Sequence, residues 1–264
     1  MERGRLWILI LWCATVSLAA AHLPLELWYS RPAARWTDAL PVGNGRLGAM
    51  VFGGLPRERL QLNEATLWSG GPRDWNNPGA REVLPRVREA LFAGDFVRAT
   101  ALCRKMQGPY NQSYQPLGNL WLTFPHAAYD TNSYRRSLDL DRAVATVQYR
   151  VGSVTFTREV FSSYPDQVII VRVSADRPRQ VHFTITADSP LRHQVAVEEG
   201  NVLVVRGRAP AHVDPNYLRS EQPIRYEDGP DAEGMRFEFR IRCIPEGGRS
   251  VPIQAALPSP TPTR

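Results

Sequence analysis

From residue 118 onward, apolar and polar residues alternate along most of the chain. Alternation with a period of two is typical of strands that bury one face. Turn residues separate the runs, and the helical crossovers that a parallel sheet needs are missing. The pattern therefore predicts a mainly-β, antiparallel sandwich or barrel. The runs are NLWLTF (119–124), AVATVQYRV (143–151), SVTFTREVF (153–161), QVIIVRVSA (167–175), QVHFTITA (180–187), NVLVVRG (201–207) and MRFEFRIRCI (235–244).

One segment changes period. Residues 77–108 carry apolar positions at helical spacing in two stripes, which predicts an inserted helical hairpin. Gly94 should end the first helix and Asp95 should cap the second. Pro85 either kinks the first helix or marks its start. The stripes are Val83, Leu84, Val87 and Leu91, then Phe96, Ala99, Leu102, Cys103 and Met106.

The two ends of the chain differ in composition from its middle. Residues 1–21 have the pattern of a secretory signal peptide, with Arg3 and Arg5 before an apolar core and three alanines at the cleavage site. This pattern predicts a secreted, periplasmic or extracellular protein. The β domain is then expected to span residues 22–250. Residues 251–264 are rich in proline and predict a disordered tail. Residues 208–234 predict a long polar loop.

Charge and reactive residues exclude several function classes. The formal net charge is +6, but the arginines are scattered among acidic residues, and this argues against a nucleic-acid partner. After residue 21 no long apolar run remains, so no membrane partner is expected. The five histidines show no ligand spacing, and we predict no metal. Cys103 and Cys243 either pair or, as we favour, stay free thiols. Asn111-Gln112-Ser113 has the pattern of an N-glycan acceptor.

The stretch VGNGRLGAMVFGG (42–54) contains the dinucleotide-binding pattern G-x-G-x-x-G, with Glu64 near the position of its acidic residue. That pattern works only where the glycines lead into a helix. Here four apolar residues follow, and then Gly53, Gly54 and Pro56. This order predicts a glycine-rich turn between two short strands, with no bound cofactor.

Four longer stretches resemble one family. They are WTDALPVGNGRLGAMVFGG (36–54), RLQLNEATLWSGGP (59–72), YQPLGNLWL (114–122) and GPDAEGMRFE (229–238). Together they resemble the N-terminal domain of glycoside hydrolase family 95, the inverting α-L-fucosidases, from about Leu27 to Gly248.

The resemblance implies a large antiparallel β-sandwich of the super-sandwich type that supports hydrolysis of fucosyl linkages in glycans or polysaccharides, without a cofactor. In the family, an (α/α)6 helical barrel follows this domain and carries the catalytic acid and base. No catalytic residue is therefore transferred to this chain. We expect the chain alone to be inactive and its β domain to be incomplete after Gly248.

Glycoside hydrolysis requires two carboxyl groups across one bond. Glu64 is the best single carboxylate, but the sequence gives it no evident partner; Asp38 and Asp74 are near it only along the chain. We favour a strand-end role in which Glu64 hydrogen-bonds a tight glycine-rich turn.

Five residues are candidates for substrate binding or for a domain interface: Asn44, Arg46, Asn63, Glu64 and Trp68. The structural interpretation, which we favour, places Trp68 in the core and Asn44 in a left-handed turn. For Trp36, Trp75 and Trp121 the same two roles are open, and we again favour the structural one.

The alternative function is a non-catalytic carbohydrate-binding or interaction module. Such a module should have an aromatic groove on one sheet. A domain that accompanies a catalytic barrel should instead expose an apolar surface.

The glycine-rich turn gives a first testable prediction. Because no helix N-terminus follows Gly48, the chain should bind neither NAD, NADP nor FAD. Calorimetric titration of residues 22–264 with each cofactor should give no heat of binding. Micromolar affinity for any of the three would contradict both the turn and the sandwich.

Overall fold

The computed structural model describes residues 25–126 and 128–249. The predicted signal peptide and the predicted tail lie outside these residues. Within them, fifteen strands and two α-helices follow one another in chain order. They are β1 (Glu26–Tyr29), β2 (Leu40–Gly43), β3 (Leu47–Val51), β4 (Arg57–Glu64), α1 (Ala80–Phe92), α2 (Phe96–Arg104), β5 (Gly118–Thr123), β6 (Asp130–Asp139), β7 (Val144–Val151), β8 (Val154–Ser163), β9 (Val168–Ala175), β10 (Thr184–Asp188), β11 (Arg192–Glu198), β12 (Val202–Arg208), β13 (His212–Val213), β14 (Ile224–Arg225) and β15 (Arg236–Arg242).

Two five-stranded antiparallel sheets form the body of the domain. Sheet I has the strand order β1-β6-β7-β8-β9, and sheet II has the order β10-β5-β4-β3-β2. Sheet III, β11-β12-β15, adds three strands. Apolar side chains from sheets I and II fill the space between them, for example Leu60 and Leu122 from sheet II and Ala145 and Val160 from sheet I. The predicted antiparallel β-sandwich is confirmed.

Most of the alternating runs form the strands that they predict. The exception is QVHFTITA, of which only Thr184–Asp188 is a strand. Arg179 has a positive φ of 60°, and the His182 ring contacts the Arg179 carbonyl oxygen, so the turn before β10 continues further than the alternation indicates. The predicted loop 208–234 is mostly irregular but contains the short ladder β13–β14.

The predicted helical hairpin is also present. Gly94 separates the helices with a φ of +74°, and the Asp95 carboxylate accepts the Arg98 backbone N–H at 2.9 Å as a cap. Pro85 lies inside α1, so it does not mark the start of that helix. The hairpin has a small core of its own, formed by Val87, Ala90, Ala99 and Leu102.

The tip of the hairpin is apolar and exposed. Four side chains cluster around the turn between α1 and α2, and Phe92 is the most open of them, with 91% of its surface exposed. Neither helix is long and apolar enough to cross a membrane. Cys103 in α2 is exposed, and it and Cys243 are free thiols. The hairpin tip consists of Leu91, Phe92, Phe96 and Val97.

A buried ion pair joins the two large sheets. Glu58 of β4 lies 2.9 Å from Arg158 of β8, and each residue is 1% exposed. The other Glu58 carboxylate oxygen accepts the backbone N–H of Gly53 at 2.7 Å and that of Arg59 at 3.0 Å. Burial raises the pKa of Glu58, and the Arg158 charge and these N–H groups oppose that rise.

The same buried region fixes the turn between β3 and β4. The Tyr134 hydroxyl donates to the Gly53 carbonyl oxygen at 2.8 Å. Nearby, Arg136 donates to the Arg31 carbonyl oxygen at 2.8 Å and so holds the segment between β1 and β2. Gly53 has a φ of +76°, and a Cβ there would collide with the Tyr134 hydroxyl. Only glycine therefore fits at this point.

Removal of the Glu58 charge should be costly. In Glu58→Gln the amide oxygen can still accept the Gly53 N–H, but Arg158 is left as a buried charge without a counter-ion. Loss of one partner of a buried pair costs about 3–5 kcal/mol. We expect a decrease of that size in the free energy of unfolding, measured by urea denaturation.

Two controls identify the cause. The double variant Glu58→Gln/Arg158→Met removes both charges and should recover much of the loss. Glu199→Gln breaks an exposed pair with Arg242 and should cost less than about 1 kcal/mol. Equal losses in Glu58→Gln and Glu199→Gln would show that the buried pair has no special role.

His126 lies at the border of this region. Its ring is 4.4 Å from Phe156 and 5.6 Å from Phe124, measured between ring centroids, and contacts the Tyr149 hydroxyl at 3.2 Å. Burial, followed by the positive charge of Arg158, lowers the pKa of His126. Below about pH 6.5 the unfolded chain therefore binds a proton at His126 more readily than the folded chain does.

The stability contributed by neutral His126 should consequently be present at neutral pH and lost as the pH falls. We expect the urea midpoint of the wild type to decrease between about pH 7 and pH 5 by more than that of His126→Phe, which cannot titrate. The exposed His182→Phe should retain the wild-type decrease. Identical pH dependence in the wild type and His126→Phe would contradict this role.

Candidate functional site

The glycine-rich stretch forms a turn between two antiparallel strands. Gly43 at the end of β2 is paired with Gly48 in β3, as the turn prediction requires. The Asn44 side-chain oxygen accepts the backbone N–H groups of Arg46 at 3.1 Å and Leu47 at 2.8 Å. The prediction of a left-handed Asn44 is wrong, because Gly45 takes the positive φ, +92°, and Asn44 instead closes the turn with its side chain.

Side chains of this turn also reach sheet I. The Asn44 amide donates to the Ser163 carbonyl oxygen at 2.8 Å, at the end of β8. The Arg46 guanidinium donates to the Gln167 side-chain oxygen at 2.7 Å, in the turn that leads to β9. The ends of the two sheets are thus tied together at the candidate residues.

Glu64 ends β4 and holds the turn that follows. One carboxylate oxygen accepts the Thr66 backbone N–H at 2.7 Å and the Thr66 hydroxyl at 2.6 Å. The other lies 3.5 Å from the Arg46 guanidinium, which is half exposed, so this ion pair adds little stability. Glu64 thus stands at a strand end as predicted, but its close hydrogen bonds hold the turn after β4, and it reaches the glycine-rich turn only through the Arg46 side chain.

The prediction that Trp68 is a core residue is wrong. Trp68 is 44% exposed, because the preceding residue, Leu67, points inward and is 1% exposed. The Trp68 ring packs edge-on against Tyr114 at 5.5 Å, and its N–H donates to the Ala65 carbonyl oxygen. The Tyr114 hydroxyl accepts from the Asn63 amide and donates to the Glu64 carbonyl oxygen.

The structure therefore brings all five candidates to one end of the sandwich and adds Tyr114. We call this surface the turn cluster: Asn44, Arg46, Asn63, Glu64, Trp68 and Tyr114. Sequence reasoning did not select Tyr114, although it begins one of the stretches that carry the family resemblance. The cluster offers amide, guanidinium and hydroxyl groups beside a half-exposed indole ring, which suits contact with a hydroxylated ligand or with another domain.

The other carboxylates considered are engaged in local contacts. Asp38 binds Arg35 at 3.1 Å, and Asp74 accepts the Asn76 backbone N–H at 2.9 Å. Glu58 has the raised pKa that a general acid needs, but it is enclosed between the sheets and cannot reach a glycosidic bond.

A second polar cluster lies on β4, β5 and β10 of sheet II. Trp121 and Asn119 both donate to the Asp188 carboxylate, and Arg59 donates to Asn119 at 2.8 Å. The guanidinium of Arg57 lies 4.0 Å from the centre of the Trp121 ring and covers it. The polar residues of this cluster alternate with apolar ones along their strands. In the sequence, that alternation cannot be distinguished from an ordinary solvated sheet face, so it did not reveal the cluster.

Known proteins with similar sequences cover most of the chain. Residues 27–258 match the family model described as glycosyl hydrolase family 65, N-terminal domain. Alpha-L-fucosidase 2 of Arabidopsis thaliana is 39% identical over 234 residues, which are 86% of this chain and 27% of the relative.

Two fungal relatives are also similar. Probable alpha-fucosidase A of Aspergillus niger is 37% identical over 62% of this chain and 22% of its own length. The protein of the same name from Aspergillus oryzae is 33% identical over 60% of this chain and 22% of its own length. The chain spans about a quarter of the length of the curated relatives that it matches.

These matches confirm the predicted resemblance, which rests on residues 36–54, 59–72, 114–122 and 229–238. With the family model covering nearly all of the described residues and the β-sandwich in place, the chain belongs to the family of glycoside hydrolase N-terminal domains.

Proposed function

We propose that this chain is the N-terminal domain of an exported α-L-fucosidase-type glycoside hydrolase. In this proposal the domain supports hydrolysis of fucosyl linkages in glycans or polysaccharides. The acid and base belong to a helical barrel that accompanies the domain, and the chain alone has no activity. Export rests on the signal-peptide pattern of residues 1–21.

The main support is the unequal coverage of the Arabidopsis relative. The match takes up 86% of this chain but only 27% of a protein named alpha-L-fucosidase. Glycoside hydrolysis also needs two carboxyl groups on opposite sides of one bond, and Glu64 is already bound to Thr66. A domain of this kind is expected to act by packing against the part that holds the reacting groups.

The hairpin tip supports a role next to another domain. Leu91, Phe92, Phe96 and Val97 leave a cluster of apolar side chains in water, and soluble proteins usually cover such clusters. An uncovered apolar surface is the feature expected of a domain that accompanies a barrel. The turn cluster is a second candidate for this contact, or for the rim of a sugar site, because Arg46 and Trp68 are accessible.

The alternative of a carbohydrate-binding module has its own supporting observation. Trp28 on the edge strand β1 is 57% exposed, and an open indole ring can stack on a sugar. However, the Arg135 guanidinium lies 4.8 Å from the centre of the Trp28 ring and occupies one of its faces. Trp121 is covered by Arg57 in the same way. Among the described residues, these two rings therefore each have one face occupied by an arginine, which counts against their forming the aromatic groove that this alternative requires.

A domain exchange tests the proposal. Residues 22–264 alone should not hydrolyse an aryl α-L-fucoside above background. A hybrid in which residues 27–258 replace the matching N-terminal part of the Arabidopsis alpha-L-fucosidase should be a soluble enzyme that does. Turnover by the isolated chain that disappears in Glu64→Gln would instead assign the chemistry to this domain.

The same hybrid enzyme tests the turn cluster. Misplaced contacts far from the reacting atoms can lower rates by about tenfold to a hundredfold, so Arg46→Ala and Trp68→Ala should reduce kcat/KM by such factors. Trp28→Ala, which removes an exposed tryptophan of the edge strand β1, is the matched control and should leave it unchanged. If the isolated chain binds glycans and loses that binding in Trp28→Ala, the module alternative is correct.

A further inference from the structure

One acceptor pattern in the sequence is not explained by the proposed function. Asn111-Gln112-Ser113 is the only place in the chain where asparagine is followed, after one residue other than proline, by serine or threonine. It lies in the irregular segment between α2 and β5. Asn111 is exposed, whereas Gln112 and Ser113 are partly buried. The chain therefore turns into the domain immediately after Asn111.

Contacts on the inner side hold this segment in place without Asn111. The Gln112 side-chain oxygen accepts the Ser69 hydroxyl at 2.9 Å, and its nitrogen contacts the His212 ring at 3.1 Å. Ser113 is bound to Ser69 through its backbone: its carbonyl oxygen accepts the Ser69 N–H at 2.9 Å, and its N–H donates to the Ser69 hydroxyl at 3.0 Å. A bulky group on Asn111 would leave all of these contacts intact.

We propose that Asn111 is a site of N-linked glycosylation. The reaction is group transfer from a lipid pyrophosphate-linked oligosaccharide in the secretory lumen. The bond from the sugar anomeric carbon to the pyrophosphate oxygen breaks, a bond from that carbon to the Asn111 amide nitrogen forms, and the amide loses one proton. The hydroxyl of Ser113 supplies the second element of the acceptor pattern. This inference rests on the proposed export of the chain.

The surroundings of Asn111 fit a glycan. Tyr110 and Tyr217 pack edge-on with ring centroids 5.9 Å apart, and both are largely exposed. A glycan beside them adds a hydrated layer over two aromatic rings that otherwise face water. It also excludes this face from the contact with a second domain, which leaves the hairpin tip and the turn cluster for that contact.

The experiment is cell-free translation of the full chain with microsomes, followed by protease treatment. Protected chains are compared on a gel before and after peptide-N-glycosidase. A second version of the protein, in which an established secretory leader replaces residues 1–21, is translated in the same way. It tests glycosylation of Asn111 independently of whether residues 1–21 direct export. The variants are Asn111→Gln, Ser113→Ala and the matched control Ser113→Thr, which keeps the acceptor pattern. Because Ser113 contacts Ser69 through backbone atoms, these substitutions leave the segment in place.

We expect protected wild-type chains to show a single slower band that the glycosidase removes. Asn111→Gln and Ser113→Ala should lose this band, and Ser113→Thr should keep it. If only the version with the replacement leader is glycosylated, the assignment of Asn111 is supported and export by residues 1–21 is contradicted. Protected chains without the slower band, or a band that persists in Asn111→Gln, would overturn the assignment.

Discussion

One pair of opposite charges joins the two large sheets in the interior of the sandwich. Glu58 comes from sheet II and Arg158 from sheet I, so each sheet holds a charge that only the other can neutralise. Water cannot take over that function, because both side chains are enclosed. Bringing two ions out of water is expensive, and only a close approach in the right geometry offsets it. A packing that separated Glu58 from Arg158 would leave each of them buried without its counter-ion.

This constraint extends along the hairpin formed by β3 and β4. At one end, the Glu58 carboxylate and the Tyr134 hydroxyl hold Gly53. At the other end, the same register pairs Leu47 with Glu64 and Gly48 with Asn63. A slip by one residue would turn every side chain to the opposite face. The same β3–β4 register thus has Glu58 in the interior near one end and Glu64 and Asn63 at the other.

Sequence reasoning found the strands whose alternation is clean, such as β7, β8 and β9, because burial on one face is recorded in the residue types. It did not predict β6, in which polar residues dominate and Arg136 is an inward-facing residue. The buried roles of Glu58, Arg136 and Arg158 were missed for the same reason: a charged residue normally indicates a solvated position. The sequence identified the five residues as candidates for substrate binding or a domain interface. That they lie together at one end of the sandwich depends on pairing between distant strands, which the sequence did not reveal. Tyr114 joins them only through that pairing.

The inserted helices also affect how the chain reaches this fold. β4 and β5 are neighbours in sheet II, yet the whole hairpin lies between them in sequence. Closing a long flexible loop costs entropy before any contact is gained, and distant pairings fold slowly. Because α1 and α2 have a core of their own, they can form by local contacts and bring the ends of the connection closer together. Substitutions that weaken this small core should then slow the folding of the sheet, even though none of its residues belongs to a strand.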